Sequence, residues 1–415
     1  MSSILTNNSS MVALQTLRGI NNNLEKTQDM ISTGKKVGDA KDNASVWAIS
    51  KTMEADVRGF KGISDSLSLG QSTVSVARQA AETTTELLTE IKGKIVAAQE
   101  ENVDRAKIQA DVDALRNQIS SVVSAAQFNG QNLLQNTDTA AGSGSINVLA
   151  SLDRSATGVA ASDINVRKQD LSTQAQAAGT TSVNAGSTAT VADGATDTLA
   201  TLALNDAGGI TAGDTFQVES AGATKLGLSG AVAYVARDGD TQADVVAGLA
   251  ANLNAQAAED GVNATFAAGS GAGEIDVTNN TGSAFTAFVA TDVQQSALDG
   301  TQNDGTIGGG LAALADIDVT TQTGVDDALT EIEGLIQTSI DSAAAFGSAQ
   351  GRIDTQSEFV SGLTDALKSG IGTLVDADME EASARLQALQ VQQQLGVQAL
   401  SIANQAPQTI LSLFR

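Results

Sequence analysis

Acid–base chemistry in this chain would fall to carboxylates and lysines, because it contains no His and no Cys. That removes imidazole bases, thiolate nucleophiles, disulfides and the usual zinc ligand sets. A Ser-His-Asp triad cannot be built either. The 48 acidic and 23 basic residues include no motif that focuses two carboxylates on one point, as a carboxylate-only hydrolase requires. The sequence therefore assigns no catalytic residue, no cofactor and no metal. A net charge of −25 argues against nucleic acid and anionic membranes as partners.

The chemistry that the spacing does support is helix association. From Leu386 to Phe414 there is no charged residue in 29 positions. Apolar residues recur at helical intervals and Gln fills most of the remaining places. The stretch is too polar to span a bilayer, which needs about 20 consecutive apolar residues, so no membrane insertion is expected. Exposed helix faces usually carry Lys, Glu and Arg, and this one carries none. Pro407 is the single proline of 415 residues, where average usage predicts roughly 20; it is expected to kink the last helix or to start a final turn.

The elements that would position such a helix are long. Val46, Ile49, Met53, Val57, Phe60, Ile63, Leu67, Gly70, Val74, Ala77, Ala81, Thr84, Leu88, Ile91 and Ile95 advance by threes and fours, the seam of a coiled coil. A second helix carries Ile108, Val112, Leu115, Ile119, Val122 and Ala126 and stops at the Asn129-Gly130 turn. Ile146, Val148 and Leu149, with Ile164 and Val166, predict a hairpin turning near Gly158. Near the other end Val325, Ile332, Ser339, Phe346, Ile353, Val360, Leu367 and Leu374 share one seven-residue grid, flanked by Leu329, Ile336 and Ala343. Met11, Leu14, Leu17, Ile20, Leu24 and Ile31 form a matching stripe at the N-terminus.

The middle differs in kind. Residues 175–318 hold 17 acids and 2 bases, a net −15, in a background of Gly, Ala, Thr and Ser. Strands are expected at 215–218, 231–235, 264–266, 275–278 and 285–289. One helix is expected behind the capping box of Thr241 and Asp244, with Val245, Val246, Leu249 and Leu253 on its apolar face. The fold class is mainly α: a long antiparallel coiled-coil-like stalk built by both chain ends plus a β-hairpin, with an inserted small α/β, β-rich outer domain.

These ends resemble bacterial flagellin, the subunit of the flagellar filament. The likeness is carried by Ile31-Ser32-Thr33-Gly34-Lys35-Lys36, by Asp39-Ala40-Lys41-Asp42-Asn43-Ala44-Ser45 and by Gln127 to Leu134. At the other end it is carried by Asp376-Ala377-Asp378-Met379-Glu380-Glu381, by Ala403 to Gln408 and by Leu411 to Phe414. It covers about the first 170 and the last 95 residues, and its detail is similar to the α-proteobacterial flagellins. The resemblance implies a leaderless extracellular protein, exported through the flagellum's own type III apparatus, that polymerises below a cap into a hollow helical filament for swimming. It implies as partners further copies of the chain, the flagellar cap, hook-junction proteins, an export chaperone and the export apparatus. Residues 1–40 with 375–415 would be inner-tube helices, 41–174 with 319–374 the stalk and hairpin, and 175–318 the variable outer surface.

On that reading the uncharged helix lines a narrow water-filled channel and packs against copies of itself. Its subunit-interface residues would be Leu14, Leu17, Leu24, Leu386, Leu389, Leu395, Leu400 and Ile402. Neither terminal segment can bury its stripe alone, so both are expected to be disordered in the isolated monomer. One stretch departs from the family. In enterobacterial flagellins an Arg-containing stretch of the long helix is recognised by the innate immune receptor. Here Leu88–Val96 has Glu90 in place of a basic residue and Lys94 in place of an apolar one, with Lys92 between them, so receptor binding is not carried over.

Two rival readings stand beside this one. A hook–filament junction protein shares the long helical ends, although the Asp39–Ser45 segment and the Ala403–Pro407 ending favour flagellin. An adhesin role for 175–318 is compatible with a filament subunit, as is O-glycosylation of its many Ser and Thr residues. A metalloprotease insert would need His-Glu-x-x-His and is excluded.

Overall fold

The computed structural model describes residues 7–155, 158–188, 190–202, 209–287, 289–297 and 303–413. The chain divides into two compact units, one of residues up to Asp65 with those from Glu358 onward, the other Ser66–Ser357. Each long helix begins on a short polar side chain that accepts from the first free backbone N–H groups. Asn7 does this for α1 (Asn8–Thr33) and Asp104 for α3 (Arg105–Ala125). Asn43 accepts from Val46 at 3.2 Å to start α2 (Ala44–Ala98). Thr321 accepts from Gly324 to start α6 (Gln322–Val375). Asp378 accepts from Glu380 and Glu381 to start α7 (Met379–Leu413).

In the first unit α1 packs against α7. Gly34 takes the left-handed φ of 69° that ends α1. Ala377 N–H then donates to Gly34 and Lys36 N–H to Val375, tying the two connections together. The terminal segments expected to be disordered alone are thus helical and paired in the chain as described. Helix α7 continues through Pro407; Phe414 lies outside the described residues.

In the second unit α2, α3 and α6 pack together. The seam of α2 is buried there through Leu67, Val74, Ala77, Ala81, Thr84, Leu88, Ile91 and Ile95. On α6 the grid residues Val325, Ile332, Phe346 and Ile353 are buried. So is the polar member, Ser339, which donates to Ala81 O at 3.1 Å and accepts from Thr85 at 2.9 Å. The row beside that grid differs from the expectation. Ala328, Leu335, Ser342 and Ala349 are the buried ones, three residues on from each grid position, whereas Leu329, Ile336 and Ala343 are only half-buried. A seam of period 3.5 uses the +3 step, and at this step small residues let α6 sit close.

Helix α3 ends in a two-residue hairpin of β1 (Gln127–Phe128) and β2 (Gln131–Asn132), whose Asn129 and Gly130 both have positive φ, as a type I′ turn requires. The larger hairpin pairs β3 (Ser145–Ser155) with β4 (Gly158–Arg167), setting Ile146 opposite Val166 and Val148 opposite Ile164. Val148 meets α2 at Gly70, where a Cβ would lie 2.6 Å from its methyl groups.

The insert has a core of its own, formed by residues between Ala185 and Val293. Its strands are β5 (Val183–Asn184), β6 (Thr196–Thr201), β7 (Thr215–Val218), β8 (Val232–Val235), β9 (Ala264–Ala268), β10 (Glu274–Asn279) and β11 (Val293–Gln295). They form two antiparallel sheets, β5-β11-β7-β8 and β6-β10-β9. Residues 185–187 stitch the two together: Ala185 N–H donates to Val293 of β11, while Ala185 O and Ser187 N–H pair with Thr201 and Leu199 of β6. That leaves β8 and β9 as the free edges. The expected strand at 285–289 is not one. Phe285 is buried in irregular chain, its N–H donating to Val191; position 288 lies outside the described residues. A second, six-residue helix, α4 (Ser220–Lys225), joins the expected one, α5 (Gln242–Glu259), whose capping box of Thr241 and Asp244 is formed.

Chain entry to and exit from the insert run side by side. Leu311 N–H donates to Ser172, Gly309 to Gln174, and Ala177 and Thr306 exchange a pair of bonds. The loop between β8 and α5 also meets the β3–β4 hairpin. Asp238 accepts from Gly142 and Gly144 at 3.1 and 2.7 Å, and Arg167 lies 3.5 Å from both Asp240 and Asp244. Arg237 Nε lies 3.6 Å from Asp170 Oδ2, and both of these atoms are buried. Burial pushes the Asp170 carboxyl above its ordinary range, with Arg237 opposing it.

Candidate assembly surfaces

The α1–α7 pair divides the eight sequence-selected interface residues into two sets. Gly396 lets the helices close, since a Cβ there would sit 2.9 Å from Leu17 Cδ1. Gln393 donates to Asn21 at 2.8 Å and Asn7 to Ala403 at 2.8 Å, so the pairing is antiparallel. Leu389 is buried, and Leu17, Leu24, Leu386 and Leu400 are half-buried. On α7 the positions 389, 393, 396 and 400 follow the 3–4 spacing of one helix face. Leu14, Leu395 and Ile402 stay exposed, the last two at 58% and 69%. Leu395 and Ile402 share their stripe with Val391, on the side of α7 opposite Leu389 and Gly396 at 100° per residue. Val391 was missed by the sequence reading, as were the exposed Val12 and Val397. Angular position around the helix was the signal that could have separated the sets.

Helix α7 therefore presents apolar residues on two opposite faces, one covered by α1 and one uncovered. Gln387, Gln390, Gln392, Gln394 and Gln398 are exposed around it. These side chains donate and accept hydrogen bonds without fixing a charge. No helix among the described residues is long and apolar enough to cross a membrane.

The Leu88–Val96 stretch sits in the second unit. Leu88, Ile91 and Ile95 are buried and Glu90 is exposed. Lys92 pairs with Glu333 of α6. Lys94 pairs with Asp111 of α3 at 2.6 Å, a bond that raises its pKa. Two of the three charged side chains are thus engaged within the chain.

One half-buried acid on α6, Glu331, has no counterpart in the sequence reading. Burial pushes the Glu331 carboxyl up to about 7, and Asp316, Glu259 and Asp327 add like charge. The folded chain binds this proton more tightly than the unfolded one, a contribution to stability fully present below the ordinary value of 4.5. That contribution is lost as pH rises through 7. Glu331→Gln should therefore stabilise the monomer at pH 8 by about 1–2 kcal/mol, allowing for partial solvent access, and change little at pH 4. Urea denaturation at the two pH values reads this; an equal effect at both would exclude it.

Comparison with known proteins bears on both ends. The bacterial flagellin N-terminal helical region matches residues 4–139 and the C-terminal helical region matches residues 324–414. Flagellin A of Rhizobium meliloti is 39% identical over 100% of both chains. A flagellin of Brucella melitensis biotype 1 is 32% identical, again over 100% of both. The solved structure of FliC from Burkholderia pseudomallei is 17% identical, covering 68% of this chain and 99% of that one with a TM-score of 0.32. The two terminal matches and the full-length relatives together place the chain: it belongs to the bacterial flagellin family and is a structural subunit of the flagellar filament.

Proposed function

We propose that α1 and α7 of successive copies form the inner wall of the filament, with 41–174 and 319–374 as the stalk around it and 175–318 facing outward. The observation that carries this is the two-faced α7: α1 covers one apolar side, and the uncharged opposite side is left for another copy. A charge on such a wall would be desolvated once per subunit, at several kcal/mol each time. The flagellar cap, hook-junction proteins and an export chaperone are the further partners in this reading, and the flagellum's own export apparatus is the route out of the cell.

The acidic insert suits a water-facing surface, because like charges packed into a tube repel. Joining 174 to 319 through a short Gly/Ser linker should leave polymerisation intact and give thinner filaments by electron microscopy. Entry and exit run side by side at 172–177 and 306–311, and the excision removes the exit side of that pairing together with the bonds of Ala315 and Ile317 to α3. The bonds of Arg167 and of the Gly142–Gly144 loop to the insert would be lost, so some stability should go with them. A deleted chain that folds and never polymerises, at any salt concentration, would overturn the outward placement.

A further inference from the structure

The two free edges of the insert's sheets are each blocked by carboxamide side chains, and α5 supplies one to both. Asn254 Nδ2 donates to Phe266 O at 2.8 Å, and Phe266 N–H donates back to Asn254 Oδ1 at 2.8 Å. Asn254 thus satisfies both outward groups of the central residue of β9, as a neighbouring strand would. Asn252 Nδ2 donates to Ala233 O on β8 at 2.7 Å. Two residues apart on a helix means about 200° of rotation, so α5 reaches opposite edges from its two flanks. On β8 the Gln176 amide completes the seal, donating to Ala233 O at 2.7 Å and accepting from Val235 N–H at 3.3 Å.

We propose that Asn252, Asn254 and Gln176 form an edge lock that stops second copies of this chain from adding a strand to the outer domain. An unsealed edge is a template for another chain. The β9 sequence Ala264-Thr265-Phe266-Ala267-Ala268 carries no charge and no Pro, so it lacks the residues that usually guard an edge. The hazard is specific to a polymer: resting on the outward placement of 175–318, each filament would display many copies of the same edge at high effective concentration. The partner the unlocked surface fits is therefore the same β9 edge of another copy, joined antiparallel.

The test uses full-length chain carrying Asn254→Ala, as monomer and as seeded filament. Filaments should bundle side by side, with about tenfold more protein in a low-speed pellet, as multivalent contacts allow. Adding Thr265→Lys sets an exposed charge on the edge and should restore dispersed filaments. Bundling that the lysine does not relieve would point to unfolding and overturn the lock. So would variant monomer and filament that both remain dispersed. Monomers that associate with rising concentration while filaments stay apart would support the lock and overturn the outward placement instead.

Discussion

Leu395→Asp should give a chain that folds and never polymerises. Leu395 is 58% exposed in the single chain, on the side of α7 away from α1, so a carboxylate there meets water and leaves the α1–α7 pair intact. In the filament that side would be covered by another copy. Desolvating an unpaired carboxylate costs several kcal/mol, and each 1.4 kcal/mol raises the concentration needed for association tenfold. Two such increments raise that concentration about a hundredfold, and seeding removes only the nucleation barrier. Sedimentation after seeding reads polymer, and circular dichroism of the supernatant reads folding. Filaments of normal yield from this variant would dispose of the inner-wall assignment. Gln393→Glu should be much milder, since Gln393 is half-buried toward α1 and loses only its donation to Asn21.

Gly309→Ala should cost the monomer about 3 kcal/mol, the upper range for inserting a single methyl into a filled site. A Cβ at 309 would lie 1.9 Å from the backbone oxygen of Ser172. Backbone cannot step aside as a flexible side chain does. The paired segments at 172–177 and 306–311 would have to part, and Leu311 N–H would lose its bond to Ser172. Gly347→Ala is the contrasting case: nothing lies within 4 Å of a Cβ there, and a helix-interior alanine should gain about 0.5–1 kcal/mol. Urea unfolding of both variants checks the pair, and a loss below about 1 kcal/mol at 309 would show that the segments are not held together as described.

The long helices were legible because their period is local and repeats for dozens of residues. The hairpin was legible from alternation and from Gly158. What escaped were features set by small or polar residues. The α6 seam runs through Ala328, Ser342 and Ala349, which an apolar count passes over. Strand β6, with the sequence Thr-Asp-Thr-Leu-Ala-Thr, shows too few apolar residues to stand out, and β5 is two residues long. Phe285 misled by type: its burial fills a core without requiring a strand. The eight residues read as an interface mix two phases of the same helices. Leu389 and Leu395 look alike along the sequence and differ only in where α1 happens to pack.

The seam at residues 183–187 sets a timetable. Strand β5 has no partner until β11 arrives, with Gln294 and Asn184 lying 110 positions apart. Thr85 on α2 must wait longer, because Ser339 lies 254 positions further along. Contacts so distant in sequence are slow to form, since loop closure comes before any reward. A chain delivered to its folding site one end first would carry α2 with its α6-facing side uncovered and β5 as an unpaired strand. Such surfaces invite misassociation. Only when the last third of the polypeptide is available can both close at once. Completion of the second unit is thus tied to its C-terminal helix, which acts as the latecomer that commits the fold.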